Sequence, residues 1–173
     1  MSSLFFISIH EWLDLSHAQQ RALLRHMTTS FEKPWADQEL LFRRFLRPSC
    51  YVALYKNASG LPVAAALFWK ESTFLYLDKF FVMAEYRQQR IGMPFLTALL
   101  SSTTSLPLVW RTDQTLATRF YGKHPLVRTL GSHGDYVYQY STTQTRRSWE
   151  YEDIAPLLRM ESAFQPKAMR DAT

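Results

Sequence analysis

Three short apolar runs at close spacing constrain the fold of this chain more than any other feature. Residues 51–55, 63–69 and 74–82 are rich in aromatic and aliphatic side chains, and few polar residues separate one run from the next. The first connection contains Asn57 and Gly60, which favour a tight turn. Strands joined by such short connections form an antiparallel meander, which we predict for this region.

Further strands and helices are predicted on both sides of the meander. Alternating apolar residues around 5–9 indicate a first strand, and two helices follow it with Ser16 and Asp37 as their N-caps. Another helix begins near Ile91, where apolar residues recur at helical spacing as far as Leu100. The remaining predicted elements are a buried strand at 108–111, a helix at 114–121 and a strand pair at 126–130 and 136–140.

Composition places these elements in a single folded domain. The chain has 173 residues, of which 47% are hydrophobic and 15% aromatic. That is enough apolar surface to bury a core and to exclude a disordered chain. Residues 1–141 are the predicted domain, and residues 142–173 a polar linker, a short C-terminal helix and a frayed tail. The short helix could dock on its own domain or on a second copy, so a homodimer is one of two arrangements left open.

The charge balance favours an anionic partner. Lys and Arg total 20 against 15 Asp and Glu, a formal net charge of +5. The basic residues are scattered and match no nucleic-acid-binding motif, so nucleic acid is not the expected partner. The single cysteine, Cys50, excludes an internal disulfide framework, and no His, Cys or Asp cluster has metal-ligand spacing. We therefore expect no metal.

No segment predicts targeting or membrane insertion. The first residues lack the basic start and the small-residue cleavage pattern of a signal peptide. The longest apolar run, residues 61–69, is far shorter than the roughly 20 residues that span a bilayer. We expect a cytoplasmic protein without a membrane partner.

The connection from the third strand of the meander to the next helix has the character of an anion site. Amides of a first helical turn have no internal acceptors, and the helix macrodipole adds partial positive charge there. A phosphate or pyrophosphate fits this position, and arginines beside it add charge-assisted hydrogen bonds. An ordinary loop between a core strand and a core helix is the alternative. The candidate residues are Arg87, Gln88, Gln89, Arg90, Ile91 and Gly92.

This loop and the order of elements resemble the GCN5-related N-acetyltransferase (GNAT) superfamily. That family carries a Gln/Arg-x-x-Gly-x-Gly/Ala loop whose amides hold the pyrophosphate of acetyl coenzyme A (acetyl-CoA). Arg87 and Gly92 occupy the first and last positions, and Arg90 stands where the first glycine is usual. A residue with a Cβ cannot take every conformation of glycine. The resemblance implies a single-domain α+β fold, with a central mixed, mostly antiparallel sheet flanked by helices, and acetyl-CoA as acyl donor.

A closer resemblance covers residues 74–140. The phrases Tyr-Leu-Asp-Lys-Phe, from residue 76, and Trp-Arg, from residue 110, are similar to the acetyltransferase domain of N-acetylglutamate synthases. The resemblance implies that Lys79 and Arg111 bind substrate carboxylates. It also implies that Tyr121 is the general acid for the leaving thiolate, a role that suits a phenol with a pKa near 10. The implied process is amino-acid metabolism, specifically arginine biosynthesis.

Backbone groups complete the predicted site. Strand amides around Phe81 and Val82 are placed to polarise the thioester carbonyl. His124, His133 and Glu85 lie in the same region, but such residues are more often loop or core residues than general bases.

One departure from that family bears on the acceptor. Asp113 stands where the family has a second arginine, and an aspartate beside a substrate carboxylate would repel it. We therefore predict an acetyl-CoA-dependent N-acetyltransferase that acts on a small amine, first of all an amino acid, with glutamate itself in doubt. A cationic or neutral group in place of the glutamate side chain fits Asp113 better. The alternative is a catalytically degenerate domain of the same fold that binds a partner or regulates.

Overall fold

The computed structural model describes residues 3–8, 50–103 and 105–142, which form seven strands and two α-helices. The predicted helices capped by Ser16 and Asp37 lie outside the described residues, as do the linker and C-terminal helix predicted beyond residue 142. The elements are β1 (Ser3–Ser8), β2 (Cys50–Lys56), β3 (Pro62–Lys70), β4 (Leu75–Val82), α1 (Gly92–Ser102), β5 (Leu108–Asp113), α2 (Gln114–Arg119), β6 (Val127–His133) and β7 (Tyr136–Ser141).

The seven strands form one sheet in the order β1-β2-β3-β4-β5-β7-β6. All neighbours are antiparallel except β4 and β5, which are parallel. Parallel strands need a long crossover, and α1 provides it. The predicted meander is β2-β3-β4, and the prediction of a mixed, mostly antiparallel sheet in a single-domain α+β fold is confirmed.

Helix α1 covers one face of the sheet. Its buried side chains recur at helical spacing and are Phe95, Leu96, Leu99 and Leu100. They pack in one cluster with Leu77, Leu108 and Trp110 from the central strands and with small alanines of β2 and β3. Each fully buried large apolar side chain contributes about 1.5–3 kcal/mol to folding, so this face supplies much of the stability.

The opposite face is mainly aromatic. Its buried cluster contains Trp69, Phe74, Tyr76, Val109, Tyr138 and Tyr140. Because successive strand residues point to opposite faces, β4 and β5 each contribute to both clusters. The central strands can therefore present different chemistry on the two sides of the sheet.

Candidate active site

Strands β4 and β5 separate soon after they meet. Their parallel pairing consists of Leu75 with Leu108 and Tyr76 with Val109. Beyond these pairs β4 continues along β3 as far as Val82, and β5 continues along β7. The ladder between β3 and β4 is interrupted beside Asp78, and such a bulge bends its strand. The result is a fork between β4 and β5 in the middle of the sheet.

The fork exposes one edge of the β4 backbone. The Met83 N–H donates to the Val63 carbonyl, 3.0 Å between N and O, and Phe81 pairs with Ala65. Backbone groups of alternate residues point to opposite edges of an antiparallel strand, so those of Phe81 point to β3. Those of Phe80 and Val82 point toward the fork. Of the two amides predicted to polarise a carbonyl, the structure therefore places Val82 at the fork and Phe81 in the ladder.

The loop that follows β4 contains two residues with positive φ. Gln88 has φ 66° and Arg90 has φ 58°, in the left-handed region that costs non-glycine residues about 1–3 kcal/mol each. Arg90 thus takes the backbone conformation for which glycine is the default residue, while its side chain is exposed to solvent. An arginine at this position is compatible with the turn.

Helix α1 begins with donors that have no partner within the helix. The Phe95 N–H donates to the Ile91 carbonyl in the first helical hydrogen bond, 3.0 Å. Ile91 at the N-cap has no side-chain oxygen, and the first turn carries no acidic residue. The amides of Gly92 and Met93 therefore point out of the helix end. Left-handed Arg90 followed by right-handed Ile91 gives successive N–H groups the concave arrangement that binds anions.

Two side chains of this loop are hydrogen-bonded to backbone carbonyls that precede it in the chain. The Arg87 Nε donates to the Val82 carbonyl at 3.3 Å, and the Gln89 Nε2 donates to the Glu85 carbonyl at 3.2 Å. Arg87, Gln88, Gln89 and Arg90 are all exposed. We call residues 87–93 the anion loop; the structure brings all six predicted coenzyme-binding residues of the loop together at the start of α1.

The segment that follows β5, residues 113–124, lies on the β5 side of the fork, and we call it the tyrosine segment. It comprises α2 and a 3-10 turn over Tyr121–Lys123. The ring of Tyr121 is 5.2 Å from that of Trp110 on β5 and 6.0 Å from that of Phe80 on β4. Tyr121 is therefore buried between the separating strands, on the α1 face. The helix predicted through residue 121 ends at Arg119, two residues earlier.

Burial determines the protonation state of Tyr121. Loss of hydration raises the pKa of its hydroxyl well above the ordinary value, and the negative charge of Asp113 raises the pKa further. The phenol is therefore protonated at any physiological pH. A protonated hydroxyl at this position is a hydrogen-bond donor and not a base, and its raised pKa makes it a weaker acid than the free phenol on which the sequence prediction was based.

Phe120 lies between β4 and the tyrosine segment and contacts both. The sequence analysis assigned it no role. Its ring packs on Tyr121 with centroids 4.8 Å apart and on Phe80 with centroids 5.8 Å apart. A Cβ added at Gly92 would lie 3.1 Å from the Phe120 ring. Gly92 therefore lets the start of α1 pack against the tyrosine segment. The adjacent Phe-Tyr pair at 120–121 was the available sequence signal.

Asp113 has a structural role at the start of α2. Its Oδ1 accepts a hydrogen bond from the Leu116 N–H at 2.9 Å, which makes Asp113 the N-cap of the helix. N-capping by aspartate typically stabilises a helix by about 1 kcal/mol. The aspartate that replaces the expected arginine thus has a reason to be there that involves no substrate.

Lys79 and Arg111 lie on the aromatic face, opposite Tyr121. The Lys79 Nζ is 3.3 Å from the Asp78 Oδ1, with 24% of its side chain exposed. The exposed Arg111 guanidinium stacks 4.4 Å above the centroid of the Tyr136 ring. The sheet separates these two cations from Tyr121, and the fork is where β4 and β5 leave a gap in it.

His124 connects α1 to the end of the tyrosine segment. Its Nε2 lies 3.2 Å from the Thr97 Oγ1, and its Nδ1 accepts the Leu126 N–H at 3.2 Å. Since Nδ1 accepts, the proton is on Nε2 in the neutral ring. Burial lowers the pKa of His124, which favours this neutral form. Both ring nitrogens are engaged, so His124 is a structural link.

The described ranges contain neither a metal site nor a membrane span. No group of three His, Cys, Asp or Glu side chains within residues 3–8, 50–103 and 105–142 could hold a metal ion. In the same ranges, no helix combines the length and the apolar character that crossing a bilayer requires.

Comparisons with known proteins identify the fold. No protein-family model and no curated protein sequence matches this chain. Among solved structures, it is similar to Escherichia coli ElaA, with TM-score 0.60 and 17% identity over 82% of this chain and 100% of that one. An acyl-CoA N-acyltransferase from Pseudomonas aeruginosa gives TM-score 0.62 and 13% identity over 82% and 100% of the two chains. PaiA N-acetyltransferase from Thermoplasma acidophilum, solved in complex with coenzyme A, gives TM-score 0.56 and 10% identity over 82% and 99%.

The chain has the GNAT fold, since further similar structures are described as acetyltransferases of the GNAT family. That agrees with the broader resemblance drawn from the sequence. The finer resemblance, to N-acetylglutamate synthases, remains a prediction.

Proposed function

We propose that this protein is an acetyl-CoA-dependent N-acetyltransferase that acts on a small amine. The fork between β4 and β5 is the observation that carries the proposal. It has a strand edge with inward-pointing backbone groups at Val82, an anion-binding helix start at Gly92 and a protonated buried phenol at Tyr121. These are the three parts that acyl transfer from a phosphorylated thioester needs.

The anion loop suits the coenzyme's pyrophosphate. Amides of Gly92 and Met93 point out of the start of α1, and Arg87 and Arg90 place positive charge beside them. When bound, acetyl-CoA supplies the activated acetyl group. Arg90 and Asp113 are the residues that favour a degenerate module, and the left-handed backbone of Arg90 weakens the first of these two arguments.

Two groups of the chain act on the reacting thioester. The Val82 N–H at the fork edge donates to the thioester oxygen as negative charge develops there. The acceptor nitrogen bonds to the acetyl carbon, the C–S bond breaks, and the Tyr121 hydroxyl gives its proton to the departing sulfur. The nitrogen releases one proton to water, and the Tyr121 oxygen takes one back from water.

The aromatic face is the proposed acceptor side. Arg111 is the more exposed of its two predicted carboxylate ligands, and its guanidinium is held on the Tyr136 ring. The Lys79 ammonium is already close to the Asp78 carboxylate. We propose an amino acid bound through its carboxylate by Arg111; Asp113 provides no cation for a second carboxylate, which is the one that glutamate would need.

Calorimetry and a thiol-release assay test the proposal. Acetyl-CoA should bind, and coenzyme A should be released with at least one of L-glutamate, L-glutamine, L-lysine, L-arginine or L-histidine. Absence of binding by folded protein at up to about 1 mM acetyl-CoA, the upper end of usual KM values, would overturn it. Binding without thiol release from any amine would favour the degenerate module.

Arg111→Ala separates the two substrates. It should raise the acceptor KM about tenfold or more, because a charge-assisted hydrogen bond is lost, and leave acetyl-CoA binding unchanged. Equal loss of both would mean that Arg111 does not belong to the acceptor site.

A further inference from the structure

A buried glutamine on the neighbouring strand holds the tyrosine segment in place. Gln139 lies on β7 between Trp110 of β5 and Thr129 of β6, and it is 2% exposed. The sequence analysis assigned it no role. Its side chain points to the same face of the sheet as the Trp110 indole, toward α2.

Both ends of the Gln139 amide are used. The Trp110 Nε1 donates to the Gln139 Oε1 at 3.3 Å, and the Gln139 Nε2 donates to the Ala117 carbonyl at 3.1 Å. The Nε2 also lies 3.5 Å from the Thr129 Oγ1. An indole N–H can only donate, so it fixes which end of the amide is oxygen. The amide can therefore bind Ala117 and Trp110 in one orientation only.

Ala117 and Trp110 are the two supports of Tyr121. Ala117 lies in the last turn of α2, where carbonyls lack helical donors, and the chain reaches Tyr121 four residues later. Ala117 O is also so close to Gly122 that a Cβ there would lie 2.7 Å away. Trp110 packs directly on the Tyr121 ring. Gln139 thus fixes the backbone before the tyrosine and the ring beside it.

We propose that Gln139 is a positioning residue that sets the Tyr121 hydroxyl at the fork by holding Ala117 and Trp110 together. The inference rests on the proposed function, in which Tyr121 protonates the departing sulfur. Gln139 touches neither substrate; it acts through Tyr121. Its loss should therefore affect the chemical step rather than coenzyme binding.

Gln139→Met keeps the length of the side chain and removes its hydrogen bonds to Trp110, Ala117 and Thr129. With the amino acid that reacts fastest in the thiol-release assay, kcat should fall about tenfold or more, because small displacements of a reacting group are costly. The KM for acetyl-CoA should stay within about twofold, since the anion loop is untouched.

Ser141→Ala is the matched control. The buried Ser141 Oγ, also on β7, accepts the Leu108 N–H at 2.8 Å and so ties β7 to β5 through a hydrogen bond that involves neither Trp110 nor α2. It should lower the melting temperature and leave kcat unchanged. If kcat falls as far in Ser141→Ala as in Gln139→Met, the effect is general destabilisation and the proposal is wrong.

Gln139→Glu adds a pH signature that general destabilisation would not give. As a carboxylate the new side chain repels the Ala117 carbonyl, whereas as a neutral acid it donates to that carbonyl and accepts from Trp110. Relative to wild type, kcat should therefore recover as pH falls. A flat ratio of the two rates would contradict the proposal.

A double variant shows whether Gln139 acts through Tyr121. On a Tyr121→Phe background, Gln139→Met should lower kcat by no more than about twofold further, as expected for residues that act as a unit. An undiminished effect on that background would overturn the proposal.

Hydrogen exchange keeps the two hypotheses apart. Amides of residues 118–124 should exchange faster in Gln139→Met than in Ser141→Ala. Faster exchange in a protein that acetylates none of the amines would mean that the proposed function fails while Gln139 still holds the segment. Unchanged exchange would overturn the positioning role whatever the activity.

Discussion

The anion loop and the tyrosine segment flank the same fork but are built in opposite ways. Side chains 87–90 of the loop are exposed, and two of its residues occupy the left-handed region. The tyrosine segment is buried at Tyr121 and His124 and is tied to its surroundings through Asp113, Gln139 and His124. One region is defined by its backbone amides, the other by fixed side chains.

The difference fits the two tasks that the proposed function assigns to these regions. A pyrophosphate has many oxygens and can be held by several amides at once, so the loop needs the right backbone shape more than particular side chains. A proton is delivered from one atom to one atom, which requires a single fixed hydroxyl. Phe120 against Gly92 is the contact through which the two regions keep their relative position.

The largest effect on kcat is expected at Tyr121, near the end of the tyrosine segment. Tyr121→Phe should lower kcat about 100-fold or more, the usual contribution of a general acid, without changing the dissociation constant for acetyl-CoA. Steady-state thiol release and calorimetry measure the two quantities. An unchanged kcat would mean that the buried phenol only packs.

Gly92→Ala tests the contact between the regions. The new Cβ would press on the Phe120 ring at 3.1 Å, so we expect the KM for acetyl-CoA to rise several-fold and stability to fall by about 1–3 kcal/mol, as in overpacked cores. Adding Phe120→Leu should recover part of both by removing the ring atoms. If Phe120→Leu recovers neither quantity in the double variant, Gly92 is required for the conformation of the anion loop and not for the contact with Phe120.

His124 makes the stability of the tyrosine segment dependent on pH. Its pKa is lowered in the folded protein, so its stabilising effect is complete above the unfolded value near 6.5 and is lost as pH falls through the folded pKa. The loss cannot exceed about 1.4 kcal/mol per pH unit from one group. Melting temperatures at pH 7.5 and 5.5 should differ less in His124→Gln than in wild type; an equal difference would place the acid sensitivity elsewhere.

The smallest effect on the reaction is expected at Arg90. Arg90→Gly removes a left-handed backbone cost of about 1–3 kcal/mol and adds chain entropy worth about 0.5–1 kcal/mol to the unfolded state, so the free energy of unfolding should rise by up to about 2 kcal/mol. Arg90→Ala keeps the backbone cost and serves as the control in the same denaturation experiment. Acetyl-CoA affinity should fall less than about threefold, as expected for one exposed charge.

Local pattern was enough to predict the sheet. The apolar runs of the meander, the strand at 108–111 and the last strand pair all appear within a few residues of their predicted bounds. The position of the anion loop between β4 and α1 was also predictable, because a strand, a polar turn and a helix-starting glycine are contiguous in sequence. The capping role of Asp113 was also local: the predicted helix begins at residue 114, and an aspartate directly before a helix start is a typical N-cap, here for the Leu116 amide three residues on. These features depend on neighbours along the chain.

Other features depend on residues that are distant in sequence. Gln139 reaches Ala117 and Trp110 across 22 and 29 residues, so no local pattern reveals it. The resemblance implied that Lys79 and Arg111 bind substrate carboxylates but not on which face of the sheet they lie. Strand alternation places them on the face opposite Tyr121, and their role toward a substrate remains a prediction.

The short pairing of β4 with β5 also has a consequence for how the protein comes apart. Strands β1–β4 form one antiparallel part of the sheet and strands β5–β7 another. The ladder between β4 and β5, which joins the two parts, contains two residue pairs. With so few hydrogen bonds at the seam, side-chain packing holds the two halves together, through α1 on one face and through the aromatic cluster on the other. The two halves are therefore natural units of partial unfolding. A ligand that contacts both sides of the fork would stabilise the state in which the halves are packed together.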